Sequence, residues 1–144
     1  MSSDVWAFGI VIWEIFTYGL TPWHGVTAKE IVRNIESGIR LPEPENIPSP
    51  FWSHTLETWL FNYQERPTFS YLASSLMTSM PKVCKVTYDC TQKDKLCVRR
   101  GNSIYILKEH EGMYLAQSVS SLEIGLIAIK NTDMVKDTNY VVPR

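Results

Sequence analysis

The chain has 144 residues and a formal net charge of −1, and 44% of its residues are hydrophobic. That length suits one ordinary domain or two small ones. The charge balance argues against a nucleic-acid-binding protein, because such proteins usually carry a basic surplus. With 20% charged residues, the composition also argues against an intrinsically disordered chain.

The three cysteines lie in the second half of the chain, and they form no Cys-x-x-Cys pair. This spacing and the scattered positions of the three histidines predict free thiols in a reducing compartment and no metal site. The apolar opening segment is too short to span a membrane, and Glu14 interrupts it. It also lacks the basic residues that begin a signal peptide. We therefore expect a cytoplasmic protein without a membrane span.

The opening segment predicts a helix that is apolar on almost every side. Ser2 or Ser3 can cap it, and Asp4 places a carboxylate in its first turn, where unpaired backbone N–H groups favour an anion. Apolar residues fill positions 5–13 almost without a break, and such a helix is normally buried all round. The helix is expected to end near Gly19.

Three further helices are predicted in the first half of the chain. Thr27 and Glu30 form a capping box, and apolar residues at helical spacing follow it. The proline-rich segment 40–50 is expected to be irregular, because proline removes backbone donors and fixes φ. The three helices are predicted over residues 27–38, 51–60 and 68–77.

After Pro81 the pattern changes to short β-branched runs separated by turn residues. Five such runs in so few residues indicate a small β-barrel. The sequence therefore predicts an α+β multidomain fold, in which four helices precede a five-stranded barrel. The strands are predicted over residues 83–89, 95–99, 103–110, 113–119 and 125–130.

The first part of the chain resembles the end of a protein kinase catalytic domain. The segment "SDVWAFGIVIWEIFTYGLTPWHG" is similar to the long central helix of the kinase C-lobe, with an Asp-x-Trp-x-x-Gly spacing at Asp4, Trp6 and Gly9. "RLPEPENIP" and "QERPTF" resemble later segments of that lobe, and "WEIFTYG" is typical of tyrosine kinases. The resemblance implies a partial kinase domain over residues 1–80, a four-helix remnant of the C-lobe.

The resemblance also implies structural roles for several residues. In that family the Asp corresponding to Asp4 caps backbone amides of the catalytic loop, and the Arg of "ERP", here Arg66, pairs with the Glu of an Ala-Pro-Glu motif. Neither partner motif is present in the 144 residues. Asp4 is therefore expected to act as a plain helix cap and Arg66 to be solvated, while Trp6 and Gly9 belong to the structural core of the lobe.

The motifs that bind nucleotide and transfer phosphate are also absent from this sequence. It contains no glycine-rich loop, strand lysine, His-Arg-Asp loop or Asp-Phe-Gly motif, and phosphoryl transfer needs the groups that these motifs supply. We therefore predict no catalytic, cofactor-binding or metal-binding residues in this chain, although the resemblance implies ATP and Mg²⁺ for the full-length family.

The second part resembles an SH3 domain. The segment "KVTYDCTQKDKLCVRRGNSIYILKEHEGMYLAQSVSSLEIGLI" follows the order of that family's strands. The resemblance implies an SH3-like domain over residues 81–136 and a tail at 137–144. A tyrosine kinase domain followed directly by an SH3 domain is the arrangement of the Ack family of non-receptor tyrosine kinases, which the chain resembles.

SH3 domains bind proline-rich peptides between aromatic rings, and the resemblance implies corresponding positions here. Tyr88 matches the first ring, Met113 stands where the family has Trp, and Ala128 or Ile129 replaces a Pro. Asp94 matches the acid that pairs with a basic ligand residue, but a lysine lies on each side of it. Loss of a Trp ring, which often contributes about 2 kcal/mol or more, favours an atypical partner or a structural role over ordinary Pro-rich binding.

Three functions fit these features. The first is a truncated Ack-like tyrosine kinase that is inactive alone and serves at most as a protein-interaction module. The second is a fragment of an active ATP-dependent tyrosine kinase whose N-terminal part lies outside this sequence. The third is an adaptor that binds Pro-rich or atypical peptides through residues 81–136.

The apolar first helix also predicts self-association. Phe8, Ile12, Trp13 and Phe16 are not expected to be all buried by three short helices. Each large apolar side chain left exposed forgoes about 1.5–3 kcal/mol of burial. We therefore expect an exposed apolar patch on the helices that promotes association between copies of the chain.

Overall fold

The computed structural model of the chain describes residues 2–91 and 95–134. The chain divides into two compact units, Met1–Met80 and Pro81–Arg144, which we name the helical unit and the sheet unit. Within the described residues the predicted α+β fold is confirmed, since four α-helices precede a five-stranded antiparallel sheet. The predicted end of the SH3-like domain and the predicted tail lie outside the described residues.

The described part of the helical unit contains four helices, and the end of the first follows a local signal. Tyr18 and Gly19 have positive φ angles of 57° and 84°, and the Gly19 N–H donates to the Glu14 carbonyl at 2.8 Å. This left-handed turn satisfies a carbonyl that the helix leaves unpaired. The helices are α1 (Ser2–Phe16), α2 (Ala28–Glu36), α3 (Ser49–Thr58) and α4 (Phe69–Thr78).

The predicted capping box begins α2. The Thr27 N–H donates to Glu30 Oε2 at 3.0 Å, and the Glu30 N–H donates to Thr27 Oγ1 at 3.4 Å. Hydrogen bonds from the side chain and backbone of Thr27 lower the pKa of the Glu30 carboxyl. The ionised cap therefore stabilises α2 at neutral pH, and this stabilisation is lost as the pH falls through the lowered pKa.

The third helix begins two residues before its predicted start. Pro48 is the N-cap of α3, and Pro50 lies in its first turn. The proline-rich segment therefore contributes a helix start as well as irregular chain. A proline is tolerated there because its missing N–H would have had no partner within the helix.

Trp59 lies at the centre of the core of the helical unit. Its side chain is 2% exposed, and its ring centroid lies 6.5 Å from that of Trp6 and 5.8 Å from that of Trp52. The indole Nε1 donates to the Trp6 carbonyl at 3.3 Å. A Cβ atom placed on Gly9 would lie 2.7 Å from that nitrogen, so glycine permits the close approach of α1 to Trp59.

The first helix is buried on one side and exposed on the other. Ile12 and Trp13 are buried, whereas Phe8 and Phe16 are partly buried and make edge-to-face ring contacts within the unit. The large apolar side chains that α1 exposes are Val11 and Ile15, at 47% and 64%. The large apolar side chains that α1 exposes are therefore not among the four that the sequence analysis considered, which were Phe8, Ile12, Trp13 and Phe16.

The sheet unit contains five strands, which are β1 (Val83–Val86), β2 (Ser103–His110), β3 (Met113–Ser118), β4 (Ile124–Ala128) and β5 (Thr132–Met134). Within its described residues their order in the sheet is β4-β3-β2-β1-β5, and every pair is antiparallel. A 3₁₀ helix, Ile129–Asn131, joins β4 to β5. β1 thus lies between β2 and β5, the strand that follows the 3₁₀ helix.

The number of predicted strands agrees with the structure, but one of the predicted strands was wrong. Residues 95–99 form no strand, because Val98 makes only a single isolated bridge, to Cys90. The fifth strand is instead β5. Its three residues are too few to show a pattern, and they become a strand by pairing with β1.

The hydroxyl of Thr87 offers a test of the core of the sheet unit. Its Oγ1 is buried and has no hydrogen-bond partner within residues 2–91 and 95–134. We expect Thr87→Val to raise the free energy of unfolding of the sheet unit by about 1 kcal/mol, because it replaces an unsatisfied buried hydroxyl by a methyl of similar shape. Urea-dependent alkylation of the buried thiol of Cys90, resolved by mass spectrometry, measures the change.

The matched control is Thr132→Val. Thr132 Oγ1 donates to the Ile129 carbonyl at 2.8 Å, so the same substitution there removes a formed hydrogen bond. It should lower the free energy of unfolding by about 1 kcal/mol. Changes of the same sign in both variants would contradict the assignment of the Thr87 hydroxyl as unsatisfied.

Candidate functional site

Two arginines lie against one tryptophan in the helical unit. The Cζ atom of Arg40 lies 5.1 Å and that of Arg66 lies 4.8 Å from the centroid of the Trp6 ring. Such distances allow each cation to be attracted by the negative ring face. The sequence named Trp6 and Arg66 as residues of the kinase core, and the structure brings them together, with Arg40 as a third member that sequence reasoning missed.

Backbone carbonyls hold both guanidinium groups in place. Arg40 Nε donates to the Trp59 carbonyl at 2.9 Å, and Arg66 Nε donates to the Leu60 carbonyl at 2.8 Å. Burial, and to a smaller extent the nearby charge of Arg66, lowers the pKa of the Arg40 guanidinium. Arg66 is only partly exposed, so it is less solvated than the sequence analysis expected. Its contacts with Leu60, just after α3, and with Trp6 of α1 connect these two helices.

Asp4 and Gly9 lie on α1 at different depths. Asp4 is exposed in the first turn, and Ser3 Oγ donates to its Oδ1 at 3.5 Å. Gly9 is buried against Thr58 and Trp59. Asp4 thus contributes a negative charge to the first turn, Gly9 permits close packing, and the two arginines make cation–π contacts with Trp6. None of these residues lines either cavity described below.

The 3₁₀ helix of the sheet unit gathers three residues that the sequence named as peptide-binding. The Ile129 N–H donates to the Gly112 carbonyl at 3.2 Å, and the Thr87 N–H donates to the Asn131 carbonyl at 2.8 Å. Gly112, just before Met113, and Thr87, just before Tyr88, are therefore hydrogen-bonded to opposite ends of this short helix. Asp94, the fourth predicted residue, lies outside the described residues.

Of these three residues only Tyr88 has an aromatic ring, so they do not form a groove between several aromatic rings. The Tyr88 ring is 67% exposed, whereas Met113 and Ile129 are partly buried. Met113 pairs with Ala128 across β3 and β4, so a flexible thioether and a methyl group lie side by side at the positions that the predicted SH3 resemblance assigns to a Trp and a Pro. Such a surface can pack against an extended apolar ligand, because methionine adapts its shape to the partner.

A cavity of about 290 Å³ lies beside Tyr88. It is lined by Val86, Thr87, Tyr88, Arg100 and Gly101. Arg100 was not singled out in the sequence, although the consecutive arginines before Gly101 are a visible signal of basic charge at a turn. The proximity of Arg100 to Tyr88 accompanies the bridge between Cys90 and Val98, which a local pattern does not reveal.

A larger cavity, of about 630 Å³, lies in the helical unit. Its lining is mostly apolar and includes Trp13, Trp23 and Leu41, with His24 beside them.

Within residues 2–91 and 95–134, no group of three His, Cys, Asp or Glu side chains could hold a metal ion. In the same residues no helix has the length and apolar character needed to cross a membrane.

The comparison with family models shows the protein family to which the helical unit is related. A model described as protein tyrosine and serine/threonine kinase matches residues 1–76, which is more than half of the chain. The chain belongs to this kinase family. The resemblance of the first part to a kinase domain is therefore confirmed, and the core around Trp6, Gly9 and Trp59 is that of a kinase-family protein.

The relatives of the chain include non-receptor tyrosine kinases. "Activated Cdc42 kinase-like" of Drosophila melanogaster is 34% identical over 77% of this chain and 9% of that protein. "Tyrosine-protein kinase sid-3" of Caenorhabditis elegans is 29% identical over 86% of this chain and 10% of that protein. "Tyrosine-protein kinase FRK" of Homo sapiens is 43% identical over 50% of this chain and 14% of that protein. The chain thus spans a small part of each relative.

The length of two alignments carries further information. They extend over 115 and 126 residues, which is longer than the helical unit of Met1–Met80. The similarity to the fly and nematode kinases therefore includes part of the sheet unit. Membership of the sheet unit in the SH3 family stays a prediction.

Proposed function

We propose that this chain acts as a protein-interaction part of an Ack-like tyrosine kinase and does not transfer phosphate by itself. The observation that carries the proposal is that backbone hydrogen bonds link the residues just before Tyr88 and Met113 to the 3₁₀ helix that contains Ile129. These backbone hydrogen bonds fix the positions of the three residues, which favours a preformed surface for an extended peptide. The sequence motifs for ATP and Mg²⁺ are absent from the 144 residues, which supports the lack of catalysis.

Peptide binding tests the first half of the proposal. We expect fluorescein-labelled proline-rich peptides to bind the full chain, and Tyr88→Ala to weaken that binding about tenfold, because an exposed ring is a typical binding anchor. Leu122→Ala is the matched control, since Leu122 is 66% exposed, close to the 67% of Tyr88, and lies in the turn between β3 and β4. Fluorescence anisotropy measures each Kd, and equal losses in both variants would contradict the assigned surface.

The absence of catalysis is tested by ADP release. The purified chain, incubated with ATP, Mg²⁺ and a tyrosine-containing peptide, should release no more ADP than a matched sample of the Trp59→Ala variant. The measurement needs a coupled assay and a phosphotyrosine immunoblot. ATP-dependent phosphorylation that increases with the concentration of the folded chain would overturn this part of the proposal.

One observation favours a second candidate, in which these residues form part of an active ATP-dependent tyrosine kinase. The chain covers 9% and 10% of the fly and nematode kinases. An antibody raised against the sheet unit would then detect a protein much heavier than 16.6 kDa in source cells, and its immunoprecipitate would phosphorylate tyrosine. A band only at the mass of this chain would count against this candidate.

Self-association through α1 stays a prediction. Val11 and Ile15 expose apolar surface on one side of the helix, and burial of that surface would favour contact between copies. Sedimentation should show concentration-dependent association of the chain, which Ile15→Glu abolishes. Val32→Glu, at an exposed apolar residue of α2, is the control. A wild-type chain that stays monomeric at all concentrations would contradict the prediction.

The state of the cysteines supports a reducing, cytoplasmic location. Cys84 and Cys90 are buried and Cys97 is exposed, and all three are free thiols. Burial, together with the charge of Asp133, raises the pKa of the Cys84 thiol against opposing effects of Lys82 and Thr132. The thiol therefore stays protonated and less reactive, as suits a core residue.

A further inference from the structure

The cavity beside Tyr88 has the size of a pocket for one side chain. Its volume of about 290 Å³ lies near the lower end of the range of about 300–1,000 Å³ that is usual for small-molecule pockets. A cofactor or a drug-sized ligand would not be enclosed there. One side chain from a longer ligand that continues over the neighbouring surface fits the volume better.

Positive charge dominates the lining of this cavity. Arg100 is the charged residue among the five that line it, and its guanidinium has no hydrogen-bond partner or ion pair within the described residues. The carboxylate of Asp89 lies next to Arg100 but bonds its backbone, since Oδ1 accepts the Arg100 N–H at 2.7 Å. The guanidinium is therefore available to a ligand.

A second cation lies at the edge of the cavity. Lys85 Nζ donates to the Gly101 carbonyl at 3.3 Å and to Ser103 Oγ at 2.7 Å, so its ammonium group lies beside the turn that carries Arg100. Asp133 is the partner of Lys85 across β1 and β5 and offsets part of this charge. Residues 81–144 as a whole hold ten Lys and Arg against seven Asp and Glu. The local and the overall charge thus both favour an anionic ligand.

We infer that the sheet unit binds acidic peptides, with an anionic side chain of the ligand in the cavity between Tyr88 and Arg100. This inference rests on the proposed function and names the chemistry of its ligand. Tyr88 lines this cavity and is 67% exposed, and the N–H of the preceding residue, Thr87, donates to the Asn131 carbonyl at the end of the 3₁₀ helix. One extended peptide can therefore pack apolar residues beside that helix and place a carboxylate or a phosphate against Arg100. Charge-assisted hydrogen bonds to a guanidinium are the strong kind.

The test uses the full chain and four labelled peptides. They share one proline-rich core and differ in a single flanking residue, which is glutamate, phosphotyrosine, glutamine or arginine. We expect the glutamate or the phosphotyrosine peptide to bind about tenfold more tightly than the glutamine peptide, as one charge-assisted contact would provide. The arginine peptide should bind most weakly. Comparison of the two anionic peptides shows whether the cavity prefers a carboxylate or a phosphate.

Matched arginine variants locate the effect. Arg100→Gln should remove the preference for the anionic peptides, whereas Arg99→Gln, at a neighbouring exposed arginine that does not line the cavity, should largely retain it. Equal or tighter binding of the arginine peptide, or an anionic preference that Arg100→Gln leaves intact, would overturn this inference and leave the proposed peptide binding standing. Failure of all four peptides to bind would instead overturn the proposed function.

Discussion

Replacing Trp59 with alanine should lower the free energy of unfolding of the helical unit by about 3–5 kcal/mol. The ring is 2% exposed and packs against Trp6 and Trp52, so its removal leaves a cavity in the centre of the core. The substitution also leaves the Trp6 carbonyl without the donor that Nε1 supplies. All five tryptophans of the chain lie in the helical unit, so urea unfolding followed by the remaining tryptophan fluorescence measures the loss.

Two controls separate this effect from general damage. Trp59→Phe keeps an aromatic ring but loses the indole donor and part of the volume, so it should cost less than the alanine variant. Alkylation of Cys84, which is buried in the sheet unit, shows whether that unit stays folded in each variant. An alanine variant with the urea midpoint of the wild type would mean that Trp59 does not hold this core together.

Local patterns were sufficient for most of the elements. The apolar run of α1, the Thr27–Glu30 capping box and the alternating residues of β2 and β3 each contain their signal within a few neighbouring residues. The structure departs from expectation where the signal is not local. β5 becomes a strand only because β1 lies beside it. Residues 95–99 make one bridge, between Val98 and Cys90, and one hydrogen bond to β4, from the Leu96 N–H to the Leu126 carbonyl at 2.9 Å, which do not add up to a ladder.

In the candidate sites, too, some residues are identified by local motifs and others come together only through the fold. Trp6 and Arg66 could be named from motifs, but the position of Arg40 over the Trp6 ring depends on how residues far apart in sequence pack. Tyr88 was likewise named, yet it shares a cavity with Arg100, twelve residues further along the chain, next to the bridge between Cys90 and Val98. Charge near a site was visible in the sequence, whereas the side chain that faces the cavity was not.

Gly9→Ala distinguishes packing from helix propensity, because the two effects have opposite signs. Propensity alone would raise the stability of α1 by about 1 kcal/mol, since alanine favours a helix over glycine by that amount. Ala7→Gly, at an exposed position of the same helix, measures this effect in reverse. In the structure, however, a Cβ on Gly9 would collide with Thr58 Oγ1 and lie 2.7 Å from Trp59 Nε1.

We therefore expect Gly9→Ala to lower the free energy of unfolding of the helical unit by about 1–3 kcal/mol, the usual range for an overpacked core. Tryptophan fluorescence in urea measures it. Thr58→Ala removes one of the colliding atoms, so the double variant should be less destabilised than the sum of the single variants. Stabilisation by Gly9→Ala would contradict the close approach of α1 to Trp59. A destabilisation relieved by Thr58→Ala would show that the glycine of the Asp-x-Trp-x-x-Gly spacing is required for packing.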